Sequence, residues 1–179
     1  MAWKTLSSEE KYKNRYMTIT EDEVVTDHGE KVTYGIVHKD PAVWIIPWDG
    51  EKMLLIGQYR YSTKYFSWEL PAGHAEKDSP EKAALAELQE ETGLVANNIR
   101  QIGTFHVAPG HLTQVGHVFL ATELTQGERN LEPSEKGMQL KWVTIKELND
   151  LIDDGTIQDG PTITVLKLFE LYRNNTQLQ

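Results

Sequence analysis

Between Glu69 and Leu94 the sequence commits the chain to one well-bracketed helix that follows a short strand. Ser79 can cap that helix, Pro80 suits its first turn, and Gly93 suits a left-handed stop. Within Pro80–Thr92, Ala84, Leu85, Leu88 and Thr92 gather on one side as a core-facing stripe. Apolar β-prone runs surround it: Ala42–Pro47, Met53–Tyr61 and Phe66–Leu70 before, then Ile99–Val107, Gly116–Glu123 and Met138–Thr144 after. Two helices close the chain, Lys146–Asp154 and Thr162–Arg173, with Asp159-Gly160-Pro161 as the start signal of the second. Strands and helices are interspersed without regular βαβ alternation. The expected class is α+β, a mixed sheet between helices.

The N-terminal part reads differently. The first fifteen positions are polar and read as frayed or helical, followed by short strands at Arg15–Ile19, Glu23–Thr26 and Lys31–His38. Asp27-His28-Gly29-Glu30 is a hairpin turn between the last two. A meander of this size is marginal alone, so it must pack on the main body or on a second copy of the chain. The expected organisation is an N-terminal β meander over 1–40 and a main domain over 41–179.

Composition narrows the chemistry. With 18 Lys+Arg against 27 Asp+Glu the net charge is −9, which argues against a broad grip on nucleic acid or an anionic membrane. The absence of cysteine excludes zinc-thiolate sites, iron–sulfur clusters and thiol catalysis. No run of apolar residues is long enough to span a bilayer, and Met-Ala-Trp-Lys-Thr carries no apolar signal core. A cytoplasmic protein is the expectation.

The chemistry-bearing feature is the end of the helix. At about 100° per residue, Glu87, Glu90 and Glu91 fall on a side different from the apolar stripe. Carboxylates at this spacing repel one another, and they sit in the last turn, where the helix dipole disfavours anions. A solvated acidic face is the bland account. A hard-cation site is the sharper one, since Mg²⁺ takes carboxylate and carbonyl oxygens and shares its shell with water and phosphates.

The wider pattern closely resembles the Nudix box of the pyrophosphohydrolase family. Glu69-Leu70-Pro71-Ala72-Gly73, a polar loop, a helix and Glu87-Leu88-Gln89-Glu90-Glu91-Thr92-Gly93-Leu94 follow in its order. There are two departures. Ala86 stands where the family has Arg, and counting back places the box's first Glu on Asp78 and its first Gly on Ala72, with the actual glycine at Gly73. The resemblance implies a Nudix-type α/β/α sandwich with a mixed sheet, carrying an N-terminal β meander.

Similarity to the ADP-ribose pyrophosphatase branch extends along the chain, through Ile56–Tyr61, Trp68-Glu69, the Asp154–Asp159 run and the turn Ala108-Pro109-Gly110. GDP-mannose and other nucleoside-diphosphate-sugar hydrolases share this architecture. The resemblance implies a Mg²⁺-dependent hydrolase, with Mn²⁺ as a substitute, that splits ADP-ribose or a related compound into a nucleoside monophosphate and a sugar phosphate. It implies Glu87 and Glu91 as principal metal ligands, Glu90 as a further ligand or water-holder, and the Ala72 carbonyl as a backbone ligand. The general base is expected in the loop Gln126–Gly137, at Glu135 with Glu132 as runner-up. A homodimer is implied as well, built through the meander.

Arg60 is the side-chain candidate for the phosphates, because its fork grips oxyanions bidentately. Glu69 is expected to orient it or to touch the ribose, and Pro109 completes the substrate set. One of Trp44, Trp48 and Trp68 is expected to stack the base, Trp44 standing for them in that set. His106, His111 and His117 lack metal-ligand spacing. The alternative from another class is a binding module that recognises a nucleotide sugar without cleaving it.

Overall fold

The structure is a computed structural model that describes residues 3–75 and 79–176. Asp78, the counterpart of the box's first Glu, lies outside the described residues. The chain forms two compact units, residues 1–41 with 105–116, and 42–104 with 117–179.

In the first unit β1 (Lys4–Lys13), β2 (Thr18–Val25) and β3 (Lys31–His38) make an antiparallel sheet in that order. The turn between β2 and β3 lies where the sequence places it, with Thr26 N–H donating to the Glu30 carbonyl and Gly29 at φ 86°. Two expectations are corrected. The polar segment Lys4–Lys13 is a strand, and Arg15–Ile19 and Glu23–Thr26 are replaced by one continuous strand, since Arg15 and Tyr16 lie in the turn that Asn14 closes. β1 has no apolar alternation to announce it; polar cross-strand pairs such as Ser8 Oγ to Asp22 Oδ1 (2.6 Å) accompany its pairing with β2. The segment 105–116 docks on β3: Val37 N–H donates to the His111 carbonyl at 2.8 Å, and Tyr34 Oη donates to the Gly110 carbonyl at 2.6 Å.

The second unit holds the apolar strands. β5 (Lys52–Arg60) lies between β10 (Gln139–Thr144) and β6 (Tyr65–Glu69). The other sheet has the order β7 (Ala72–His74), β4 (Ala42–Pro47), β9 (Val115–Gln126), β8 (Leu94–His106). All six residues of β4 are buried, as its unbroken apolar run requires of a central strand. The helix α1 (Pro80–Thr92) packs Ala84 and Leu88 against Val43, Ile45, Leu54 and Phe119. Burying a side chain such as Leu88 contributes about 1.5–3 kcal/mol.

Helix ends follow local chemistry. Gly93 at φ 76° stops α1, and its N–H returns to the Gln89 carbonyl. Ser79 occupies the N-cap position but makes no side-chain cap bond, contrary to expectation; its carbonyl accepts from Ala83 N–H. Thr144 and Glu147 form a reciprocal capping box on α2 (Ile145–Asp153). Asp159 Oδ2 accepts from Thr162 N–H at the start of α3 (Gly160–Thr176), whose Phe169 meets Trp48 edge-on at 5.3 Å. No helix among the described residues is long and apolar enough to cross a membrane.

Candidate active site

The short strand β7 and the helix α1 face each other closely. Ala72 N–H donates to Glu91 Oε2 at 3.0 Å, and the His74 backbone makes a hydrogen bond to the Glu87 carboxyl. Between them Gly73 leaves room for the carboxyl itself, since a β-carbon there would lie 1.9 Å from Glu87 Cδ. The three helix acids are therefore graded in depth. Glu91 is 3% exposed, Glu87 is half-buried and Glu90 is on the surface. Glu91 follows the buried Ala84 by seven residues and so lies only about 20° from it around the helix, at the border of the apolar stripe; the backbone donor at Ala72 gives its buried carboxyl a partner.

Depth and crowding set the charge state. Burial pushes the Glu91 carboxyl up to about 8, against the pull of the Ala72 hydrogen bond, and Glu87 and Glu135 add to the rise. Burial likewise pushes Glu87 up to about 7, with Glu90, Glu135 and Glu132 adding to the rise. Both loop acids thus lie close enough to Glu87 for their charges to be felt. Glu135 is further tied by its own loop, its Oε2 accepting from Glu132 N–H at 2.9 Å in the turn Pro133–Glu135.

Among the described residues no three carboxyl or imidazole groups already converge on one point as cation ligands. The donor set nevertheless suits a hard cation. Two oxygen-bearing side chains sit side by side, each costly to ionise alone, and the space at Gly73 keeps one of them against the β7 backbone. A dication would favour the ionised form of both carboxyls.

Arg60 and Glu69 pair across β5 and β6. Arg60 Nε donates to Glu69 Oε1 at 2.9 Å and Oε2 at 3.1 Å, and Nη2 donates to Oε2 as well. Glu69 is buried while the Arg60 side chain remains 45% exposed, so the guanidinium is fixed on one edge and open on the rest. The Glu69 hydrogen bonds raise Arg60 above the ordinary arginine value. Asp159 is a neighbour that sequence reasoning did not place here. Burial raises its carboxyl, Glu69 adds to the rise and Arg60 opposes it. Its sequence signals were the Asp-Gly-Pro helix start and its place at the end of the Asp154–Asp159 run.

The tryptophans differ. Trp44 and Trp48 are core residues, 9% and 5% exposed, while Trp68 lies partly open, edge-on to Phe66, with Lys141 Nζ 5.8 Å from its ring. Pro109 belongs to the first unit, where it lines a cavity of about 320 Å³ with Tyr34, Ile36, His106 and His111. His117 contacts Gln101 through Nδ1 at 3.2 Å. A groove of about 420 Å³ between α2 and α3 contains none of the candidate residues.

Residues 38–166 match the NUDIX domain family, and residues 3–37 match the nucleoside diphosphate sugar hydrolase N-terminal domain. An ADP-ribose pyrophosphatase of Bacillus subtilis (strain 168) is 29% identical over 171 residues, spanning 94% of this chain and 92% of that protein. An ADP-ribose pyrophosphatase of Mycobacterium tuberculosis is 31% identical over 149 residues, spanning 81% of this chain and 72% of that protein. Among solved structures, an ADP compounds hydrolase has the same fold, with a TM-score of 0.86 at 20% identity over 98% of this chain and 96% of that one.

Proposed function

This chain belongs to the Nudix family, and on that footing we propose that it hydrolyses the diphosphate of ADP-ribose to AMP and ribose 5-phosphate. The observation that carries the reading is the pair Glu87 and Glu91, two crowded carboxyls at the end of α1, each hydrogen-bonded to the backbone of β7. Family members work with a divalent cation, and we assign Mg²⁺ here, with Mn²⁺ as a substitute. Its ligands are Glu87, Glu91 and the Ala72 carbonyl, with Glu90 as a further ligand or water-holder. Bound there, the dication neutralises phosphate charge and acidifies water.

The chain's own groups do the rest. Arg60, braced by Glu69, holds a phosphate oxygen through its open edge. Glu135 takes the proton of the attacking water, with Glu132 as the second candidate. Water adds to one phosphorus, the P–O–P bond breaks, and the leaving phosphate departs as the sugar phosphate or AMP. Pro109 and one tryptophan complete the substrate set, Trp44 being the sequence-based choice; the exposure of Trp68 gives it the more accessible ring. The same proposal includes a cytoplasmic homodimer, joined through the N-terminal strands.

Ala86, which removes the family's guanidinium, favours a second reading as a nucleotide-sugar binding module. One experiment separates them: AMP or GMP release from ADP-ribose, ADP-glucose, GDP-mannose and NADH, with and without Mg²⁺. Mg²⁺-dependent AMP release, fastest with ADP-ribose, is the expected result. Binding across the panel with no turnover would replace the enzyme by the module.

A further inference from the structure

The helix that carries Glu87, Glu90 and Glu91 ends with no basic residue in its last turn. Its terminal carbonyls bear partial negative charge, so anions crowd where a cation is wanted. The cation present there comes from beyond β9. Arg129 donates through Nε to the Glu91 carbonyl and through Nη1 to the Met138 carbonyl at 3.2 Å. Its Nη2 is buried and has no hydrogen-bond partner among the described residues. The adjoining backbone continues the seal: Asn130 N–H donates to the Glu90 carbonyl at 3.1 Å, and Gly127 N–H donates to the Gly93 carbonyl at 2.6 Å. One short segment thus satisfies the carbonyls that a helix end leaves open.

The same side chain also closes a loop. Arg129 and Met138 bracket Glu132 and Glu135, so a single planar fork holds both ends of that loop against the end of α1. Lysine could not do this, because its ammonium is a point charge and lacks the rigid fork.

We propose that Arg129 is a positioning residue for the hydrolysis, fixing the Glu132–Glu135 loop relative to the carboxyls of α1. The proposal rests on the reading of Glu87 and Glu91 as cation ligands and of the loop as the source of the base. Arg129 touches neither substrate nor reacting atoms in this role; it acts through where it holds the loop.

The test compares Arg129→Ala and Arg129→Lys with the wild-type chain, by amide hydrogen exchange on the metal-free protein and by steady-state kinetics below the melting range of each variant. Arg129→Ala should speed exchange at Gly127 and Asn130 and lower kcat roughly 10–100-fold with KM little changed, as expected for a misplaced catalytic group. Arg129→Lys should recover part of kcat. Faster exchange with unchanged kcat would make Arg129 merely structural and overturn the proposal, as would unchanged exchange. If Arg129→Ala does not fold, full kcat in Arg129→Lys overturns it equally. Glu87→Gln and Glu91→Gln, run alongside, separate the two failures. Full activity in those variants would remove the metal reading and this proposal together. Their inactivity beside a fully active Arg129→Ala would remove the proposal alone.

Discussion

Gly73 and the Glu87 carboxyl share a space that any β-carbon would invade, since one at position 73 would lie 1.9 Å from Glu87 Cδ and Oε1. The atoms displaced belong to the far end of a flexible side chain, so alanine would swing the carboxyl aside rather than break the fold. Gly73→Ala should therefore fold with a melting temperature close to wild type and lose activity by roughly 10²-fold, the scale of a misplaced group. Thermal melting and AMP release on the same preparation check this. Full activity would show that the carboxyl need not lie against β7.

The metal-free protein should become less stable as pH rises from about 5 to 8. Burial holds Glu87 up to about 7 and Glu91 up to about 8, whereas both ionise in the ordinary carboxylate range once unfolded. Across that window the folded state binds more protons than the unfolded one, so folding stability falls with pH and levels off above about 8. Glu91→Gln keeps an oxygen for Ala72 N–H and removes the ionisation. It should melt higher than wild type at pH 8 without metal, by about 2–4 °C for each kcal/mol relieved, while activity is lost. Saturating Mg²⁺ should raise the wild-type melting point and leave Glu91→Gln nearly unmoved. A melting point of the wild-type protein that climbs from pH 5 to 8 without metal would contradict the burial of these acids.

How far the sequence reaches is clearest at α1. Its bounds, Pro80–Thr92, are those the proline and glycine signals give, and β3 and β4 likewise follow their apolar patterns. β1 was illegible because Lys-Thr-Leu-Ser-Ser-Glu-Glu-Lys has neither alternation nor β-branched density, and its pairing depends on β2. β8 begins at Leu94, five residues before the expected Ile99; Asn97-Asn98 has low strand propensity, and pairing with β9 carries the strand through it. At the candidate site the carboxylates were legible and their hydrogen-bond partners were not. The buried Glu91 carboxyl finds its donor at Ala72, nineteen residues away, on a strand only three residues long. Arg129 meets Glu91 across thirty-eight residues from a stretch that reads only as polar loop. Contacts of that kind depend on how strands return, which local periodicity does not encode.

The loop acids can be separated by single substitutions. Glu135 acts on both Glu87 and Glu91, and Glu132 on Glu87. Glu135→Gln should lower kcat by roughly 10²–10⁴-fold with little change in KM, the signature of a lost proton acceptor. Its Oε2 also accepts from Glu132 N–H, a bond that glutamine can keep, so the loop turn should survive. Full activity in Glu135→Gln with collapse in Glu132→Gln would transfer the base to Glu132. Full activity in both would take the base out of this loop.

The N-terminal sheet leads to a prediction about assembly. Every residue of β1 is exposed, and Trp3, Leu6, Tyr12 and Tyr16 are each about half exposed on or beside this edge strand. An open edge flanked by large apolar side chains is a surface that proteins normally cover or blunt with charge. Lys11, paired with Glu9 and Glu21, is a surface ion pair that contributes little by itself. The sheet's other edge is already occupied within the unit, because Val37 on β3 exchanges backbone hydrogen bonds with His111 and Thr113. The expected occupant of the open β1 edge is a second copy of the chain. Light scattering at micromolar concentration should give twice the mass of one chain, and Leu6→Glu with Tyr12→Glu should shift it toward the single-chain mass by placing charge on the covered edge. A single-chain mass for the wild-type protein at that concentration would remove the dimer.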